Sequence, residues 1–131
     1  MVSPTIKNDV VSTLTVIRFM TNGLAKTPDP PYYAVIFTNR RSGADEDGYA
    51  ATADAMQQLA ALQPGYLGYE SVRGDDGVGI TVSYWRDEAS LKAWKQVADH
   101  AAARRLGRQR WYDAYELRVA RVERAYNFER D

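Results

Sequence analysis

Two strand-like octets, Tyr66–Arg73 (YLGYESVR) and Val78–Trp85 (VGITVSYW), are joined only by Gly-Asp-Asp-Gly at residues 74–77. A link that short cannot carry a crossover, so the octets must pair antiparallel as a hairpin. In the second octet Val78, Ile80, Val82 and Tyr84 alternate with Gly79, Thr81, Ser83 and Trp85, the period of a strand with two different faces. An isolated hairpin is marginal in water, so its flanks must supply the rest of a core.

A strand and a helix stand ready on each side. Tyr32–Asn39 (YYAVIFTN) is aromatic and β-branched, the chemistry of a strand, and Arg40–Gly43 ends it as a polar turn. From Asp45 to Gln63 the spacing predicts a helix, with Tyr49, Ala53, Met56, Leu59 or Ala60, and Gln63 on one face. Asp45, Glu46 and Asp47 suit the positive end of its dipole, and Pro64-Gly65 stops it. Beyond the hairpin, Asp87 is placed to cap a second helix. There Leu91, Trp94, the stem of Lys95, Ala98, Ala101, Ala102 and Leu106 fall near one side, and Gly107 is the expected stop. Trp111–Tyr126 reads as a last strand, with Tyr115, Leu117 and Val119 on one face and Glu116, Arg118 and Ala120 on the other.

The order β-α-β-β-α-β is an α+β, ferredoxin-like arrangement: a four-stranded antiparallel sheet with two helices on one face. The opposite face should then be open, with Tyr66 and Val72 as apolar candidates on it, and a second copy of the chain would bury it. This domain spans residues 32–131. Residues 1–31 differ in character: Val10–Phe19 is β-branched, while Asn22-Gly23 and Thr27–Pro31 break regular structure. They read as an N-terminal extension or arm, with Met20 as an alternative natural start.

Composition removes several classes of function. Lysine plus arginine equal aspartate plus glutamate at 17 each, which gives nucleic acid or an anionic membrane no net attraction. There is no cysteine and one histidine, so thiolate chemistry is excluded and no protein-only metal site is expected. No stretch has the length of a transmembrane helix, and Asn8–Met20 lacks the apolar core and cleavage site of a signal peptide. The expectation is a cytoplasmic protein.

The chemistry-bearing candidates cluster around the third strand and the second helix. Trp94 belongs to the helix's apolar side, where it is core and can also wall a pocket. His100 lies six residues later, so it points roughly 240° around the helix from Trp94; its imidazole is a candidate for proton transfer. Asn39 closes the first strand as a turn residue or a polar site group. Tyr33, Phe37, Tyr84 and Trp85 fill the core or line a pocket, and Arg86 is a surface charge or a partner for a substrate anion. Arg104, Arg105, Arg108 and Arg110 form a basic patch whose default is a solvated face. Gly74–Gly79 (GDDGVG) joins two strands and opens no helix, so it is no dinucleotide motif.

The segments YYAVIFTNR, QPGYLGYES, ITVSYWRDEASLKAWK and WYDAYELRVARVERAY together resemble the antibiotic biosynthesis monooxygenase-like (ABM) domain of the dimeric α+β barrel superfamily. The resemblance covers Tyr32–Tyr126. It implies a homodimer whose two sheets pack as a barrel, and a cavity between sheet and helices in each protomer. Some members oxidise polyphenolic or quinone-forming substrates with dioxygen and no bound cofactor. Asn39 resembles the asparagine of these oxygen-activating relatives, and Trp94 the tryptophan of the haem-degrading branch. That branch places its histidine about one turn beyond His100, where this chain has Arg104. The resemblance therefore implies a cofactor-independent oxidation of a small aromatic or polyphenolic substrate. Two alternatives stand beside it: a non-catalytic small-ligand-binding dimer, and a haem-binding or haem-degrading protein with His100 as axial ligand.

Overall fold

The structure is a computed structural model that describes residues 22–105 and 108–131, with the side chains of residues 101–109 excepted. The expected arm before Asn22, a start at Met20, the stop at Gly107 and the side chains of Arg104, Arg105 and Arg108 lie outside the described residues. Strands β1 (Tyr32–Arg41), β2 (Tyr66–Arg73), β3 (Val78–Trp85) and β4 (Tyr112–Val122) form one sheet. Helix α1 (Glu46–Ala61) follows β1, and α2 (Glu88–Arg105) follows β3. The short helix α3 (Arg108–Trp111) leads into β4. The sheet order is β2-β3-β1-β4 with every pair antiparallel, the ferredoxin-like α+β arrangement.

Register decides which side chains meet. Tyr33, Val35, Phe37 and Asn39 of β1 stand opposite Trp85, Ser83, Thr81 and Gly79 of β3. Tyr33 and Val35 pack with Tyr66 and Trp94 against the buried Ala60, Trp85 and Leu91, so this face of the sheet is the helix side. The next residues along each strand, including Ala34 and Tyr84, therefore face the other way. Trp85 is fully buried, stacked 5.9 Å from Trp94 and edge-on to Tyr66 at 5.6 Å.

Tyr66 was expected on the open face beside Val72 and is instead on the helix side. The register shifts between Tyr66 and Gly68, so Tyr66 opposes Trp85 while Val72 opposes Ile80. One extra residue in a strand reverses the parity of everything before it, which even spacing in the sequence conceals. On α1 the buried positions are Thr52 and Ala60, while Ala53 is exposed, giving a 49-52-56-60 stripe.

The caps follow their sequence signals. Asp45 takes a left-handed φ of 52° and accepts from the Gly48 amide at 3.3 Å, and its other oxygen accepts from Trp111 Nε1 at 3.3 Å. Asp87 accepts from the Ser90 amide at 2.8 Å, and hydrogen bonding from the Ser90 side chain, then from that amide, holds its carboxyl below the usual range.

Tyr66 supplies a pH test of the core. Burial pushes its phenol up to about 12, against the lowering effect of the Gln57 hydrogen bond. An unfolded tyrosine ionises near pH 10, so the unfolded chain loses this proton first. Stability from Tyr66 is thus complete below about pH 10 and is lost as pH rises towards about 12. Urea titrations from pH 9 upward should show a shallower decline for Tyr66→Phe than for the native chain.

Candidate functional site

The helix side of the sheet carries two groups of candidate residues. Tyr33, Trp85 and Trp94 lie at one end, and Asn39 lies six residues along β1, about 20 Å away at strand rise. Trp85 is wholly core, with its indole N–H donated to Ser83 Oγ at 2.9 Å. Trp94 and Tyr33 are half-buried beside it and pack on the same core from the helix side.

The polar end is built more elaborately. Asn39 is 4% exposed, and its Oδ1 accepts from Arg73 Nη2 at 2.9 Å. Among the described residues no acceptor meets its amide N–H groups. Arg73 also donates to the Tyr49 hydroxyl at 2.8 Å and the Gly77 carbonyl at 2.8 Å. Its guanidinium lies over Gly79, where an added Cβ would come within 2.7 Å of the guanidinium carbon. Any other residue at position 79 would displace Arg73.

Arg41 covers the ring of Tyr49, its guanidinium carbon 3.4 Å from the centroid, and pairs with Glu46 at 2.9 Å. Its Nε donates to the Trp111 carbonyl at 3.1 Å, and the Ser42 amide donates to that same oxygen at 2.8 Å. These bonds tie the start of β4 to the end of β1. Tyr112 sits edge-on to Phe37 at 5.5 Å and to Tyr49 at 5.9 Å, and Tyr115 lies 5.6 Å from Phe37. Burial and the neighbouring Tyr49 push the Tyr112 phenol well up, against the lowering charges of Arg41 and Arg73. The result is an aromatic surface beside a cationic, donor-rich corner.

The remaining candidates stand apart from this corner. His100 is exposed on α2, as its angle from Trp94 requires. Tyr84 faces away from the helices and donates to Glu70 at 2.6 Å; burial, then the Glu70 carboxylate, push its phenol up. Arg86 is exposed and 3.6 Å from Asp87. The sequence reading missed Arg73, Tyr49, Arg41 and Tyr112. A glycine in mid-strand, across the hairpin from an arginine, was the available signal for the first. No cluster of three or more metal-ligating side chains occurs among the described residues.

The antibiotic biosynthesis monooxygenase family profile matches residues 31–106. The uncharacterized protein YqjZ of Bacillus subtilis (strain 168) is 51% identical over 110 residues, covering 84% of this chain and 96% of that protein. A protein of Pyricularia oryzae named jasmonate monooxygenase ABM is 33% identical over 94 residues, covering 69% of this chain but 43% of its own length. Among solved structures, the cofactor-independent oxygenase SnoaB of Streptomyces nogalater superposes with a TM-score of 0.60 at 14% identity, covering 73% of this chain and 97% of that one. PA3566 from Pseudomonas aeruginosa gives 0.58 at 16%, covering 76% and 99%. At such identities the two structures speak for the fold, while the profile and the two sequence relatives speak for descent: the chain belongs to the antibiotic biosynthesis monooxygenase family.

Proposed function

We propose that the protein is a cofactor-independent monooxygenase that oxidises a small aromatic or polyphenolic substrate with dioxygen on the helix side of its sheet. The observation that carries this reading is Asn39: a buried amide with its acceptor fixed by Arg73 and its donors without an acceptor among the described residues. Buried donors are seldom left unmade, so such a group is a pre-set partner for an oxygen that enters from outside the chain. A substrate that has lost a proton can pass electrons to dioxygen itself. Oxidation of a ring CH2 to a carbonyl consumes one O2 and releases one water, with no external reductant. Asn39 would hold the developing oxyanion and the Phe37–Tyr112–Tyr115 surface the ring, while Trp94, at the other end of the helix side, would keep the core in place. His100, on the solvent side of α2, would exchange protons with water. The family and the names of SnoaB and the Pyricularia relative support the reaction class.

The test is oxygen uptake by the metal-free protein with a panel of anthrones and hydroquinones, jasmonate being included because of that relative's name. Protein-dependent uptake with at least one member is expected. Uptake no faster than in buffer across the panel would contradict the proposal.

We further propose that the working unit is a homodimer. Tyr115, Leu117 and Val119 lie on the helix side of edge strand β4 yet are 47%, 44% and 51% exposed, and Val72 and Ile80 are exposed on the other face. Apolar rows of this kind on a sheet edge invite a second copy. Sedimentation at micromolar concentration should give twice the chain mass, and Leu117→Arg with Val119→Arg should give the chain mass. A native chain that sediments as a monomer contradicts the dimer.

A further inference from the structure

The charges around Tyr49 do not balance. Arg41 is answered by Glu46, but Arg73 makes all of its described bonds to neutral oxygens, those of Asn39, Tyr49 and Gly77. No carboxylate pairs with it among the described residues, and Asp76 of the neighbouring turn spends Oδ1 on the Val78 amide. Arg73 keeps its Nε–H and one Nη1–H unspent, because both hydrogens of Nη2 go to Asn39 and Tyr49. Tyr49 accepts from Arg73, so its own proton points elsewhere, and the Tyr112 phenol is hydrogen-bonded to the Tyr49 hydroxyl. The half-buried ring of Phe37 and the rings of Tyr112 and Tyr115 lie next to this corner.

We propose that Arg73 and Tyr49 form a carboxylate anchor, so that the ligand is a small acid whose ring lies on Phe37, Tyr112 and Tyr115. An arginine with spare N–H groups beside a hydroxyl donor matches the two oxygens of a carboxylate, and the uncompensated positive charge matches its single negative one. Asn39 fixes the guanidinium from behind, and the absent side chain at Gly79 leaves it room. The inference deepens the oxidation reading by naming the class of substrate, but the anchor stands on its own geometry.

The experiment is calorimetric titration of the full chain under nitrogen with 1-naphthoate and with 1-naphthamide, which share a ring and differ in charge. The acid should bind about tenfold or more tightly than the amide, in line with charge-assisted hydrogen bonds. Arg73→Gln should erase that preference, Tyr49→Phe should reduce it, and Arg73→Lys should retain part of it. Melting curves check that each variant folds; should Arg73→Gln not fold, Tyr49→Phe decides. Equal binding of acid and amide, no saturable binding of the acid at millimolar concentration, or an unchanged preference in the deciding variant overturns the anchor. No turnover is read under nitrogen. Equal binding of acid and amide by the native chain with oxygen uptake intact therefore defeats only the anchor, and a native preference without uptake defeats only the oxidation.

Discussion

Trp85→Ala is expected to destabilise the domain by about 3–5 kcal/mol, the range for deleting a buried aromatic side chain. No side chain in the described core is less accessible: Trp85 is 0% exposed, stacks on Trp94 and meets Tyr66 edge-on. Its indole joins β3 to β2 and α2 at once, so an alanine there opens a void that neither helix can close alone. For a domain of this size the loss corresponds to a melting temperature lower by about 10 °C or more. Thermal and urea denaturation read it directly. Trp85→Phe should recover much of the loss, since it restores the ring but leaves Ser83 Oγ without the indole donor. A drop under about 1 kcal/mol for the alanine variant would mean that the helices do not pack on this tryptophan.

The second large effect is on turnover. Asn39→Ala is expected to lower kcat by about 100-fold, the scale for removing one pre-set donor to an oxyanion. It should also cost about 1–2 kcal/mol of stability, because Arg73 loses one of its acceptors. His100→Ala, by contrast, should change the rate by no more than about twofold, since a solvent-exposed base is readily replaced by water and buffer. Steady-state oxygen uptake with the best substrate of the panel separates the two. A large loss for His100→Ala with little for Asn39→Ala would move the chemistry to the outer side of α2.

Much of this architecture can be read from local sequence, and the exceptions have physical causes. The four-residue link between β2 and β3 dictates a hairpin, and the Asp45 and Asp87 caps follow from side-chain chemistry within one turn. The bulge at Tyr66–Gly68 escaped because a strand's period says nothing about an inserted residue, so Tyr66 changed faces. Asn39 could be picked out as a candidate from its residue type, although it sits inside β1, two residues before its end, and not in the turn expected there. Arg73 and Tyr49 are 24 residues apart in the chain, and only the register of β2 on β3 and the placement of α1 bring them to one hydrogen bond. His100 drew notice as the lone histidine, a matter of composition, while helical geometry already turned it from Trp94. Tyr84 and Trp85, adjacent in sequence, had to separate to opposite faces, and the pattern alone does not say which of them is core.

The central claim is that this chain transfers oxygen from dioxygen to its substrate without a bound cofactor. The most direct measurement is mass spectrometry of the product formed under oxygen-18 gas by metal-free and flavin-free protein. The account predicts a product that carries one heavy oxygen atom, formed at a rate that scales with protein and collapses in Asn39→Ala. Unlabelled product, or labelled product formed equally fast without protein, would contradict it.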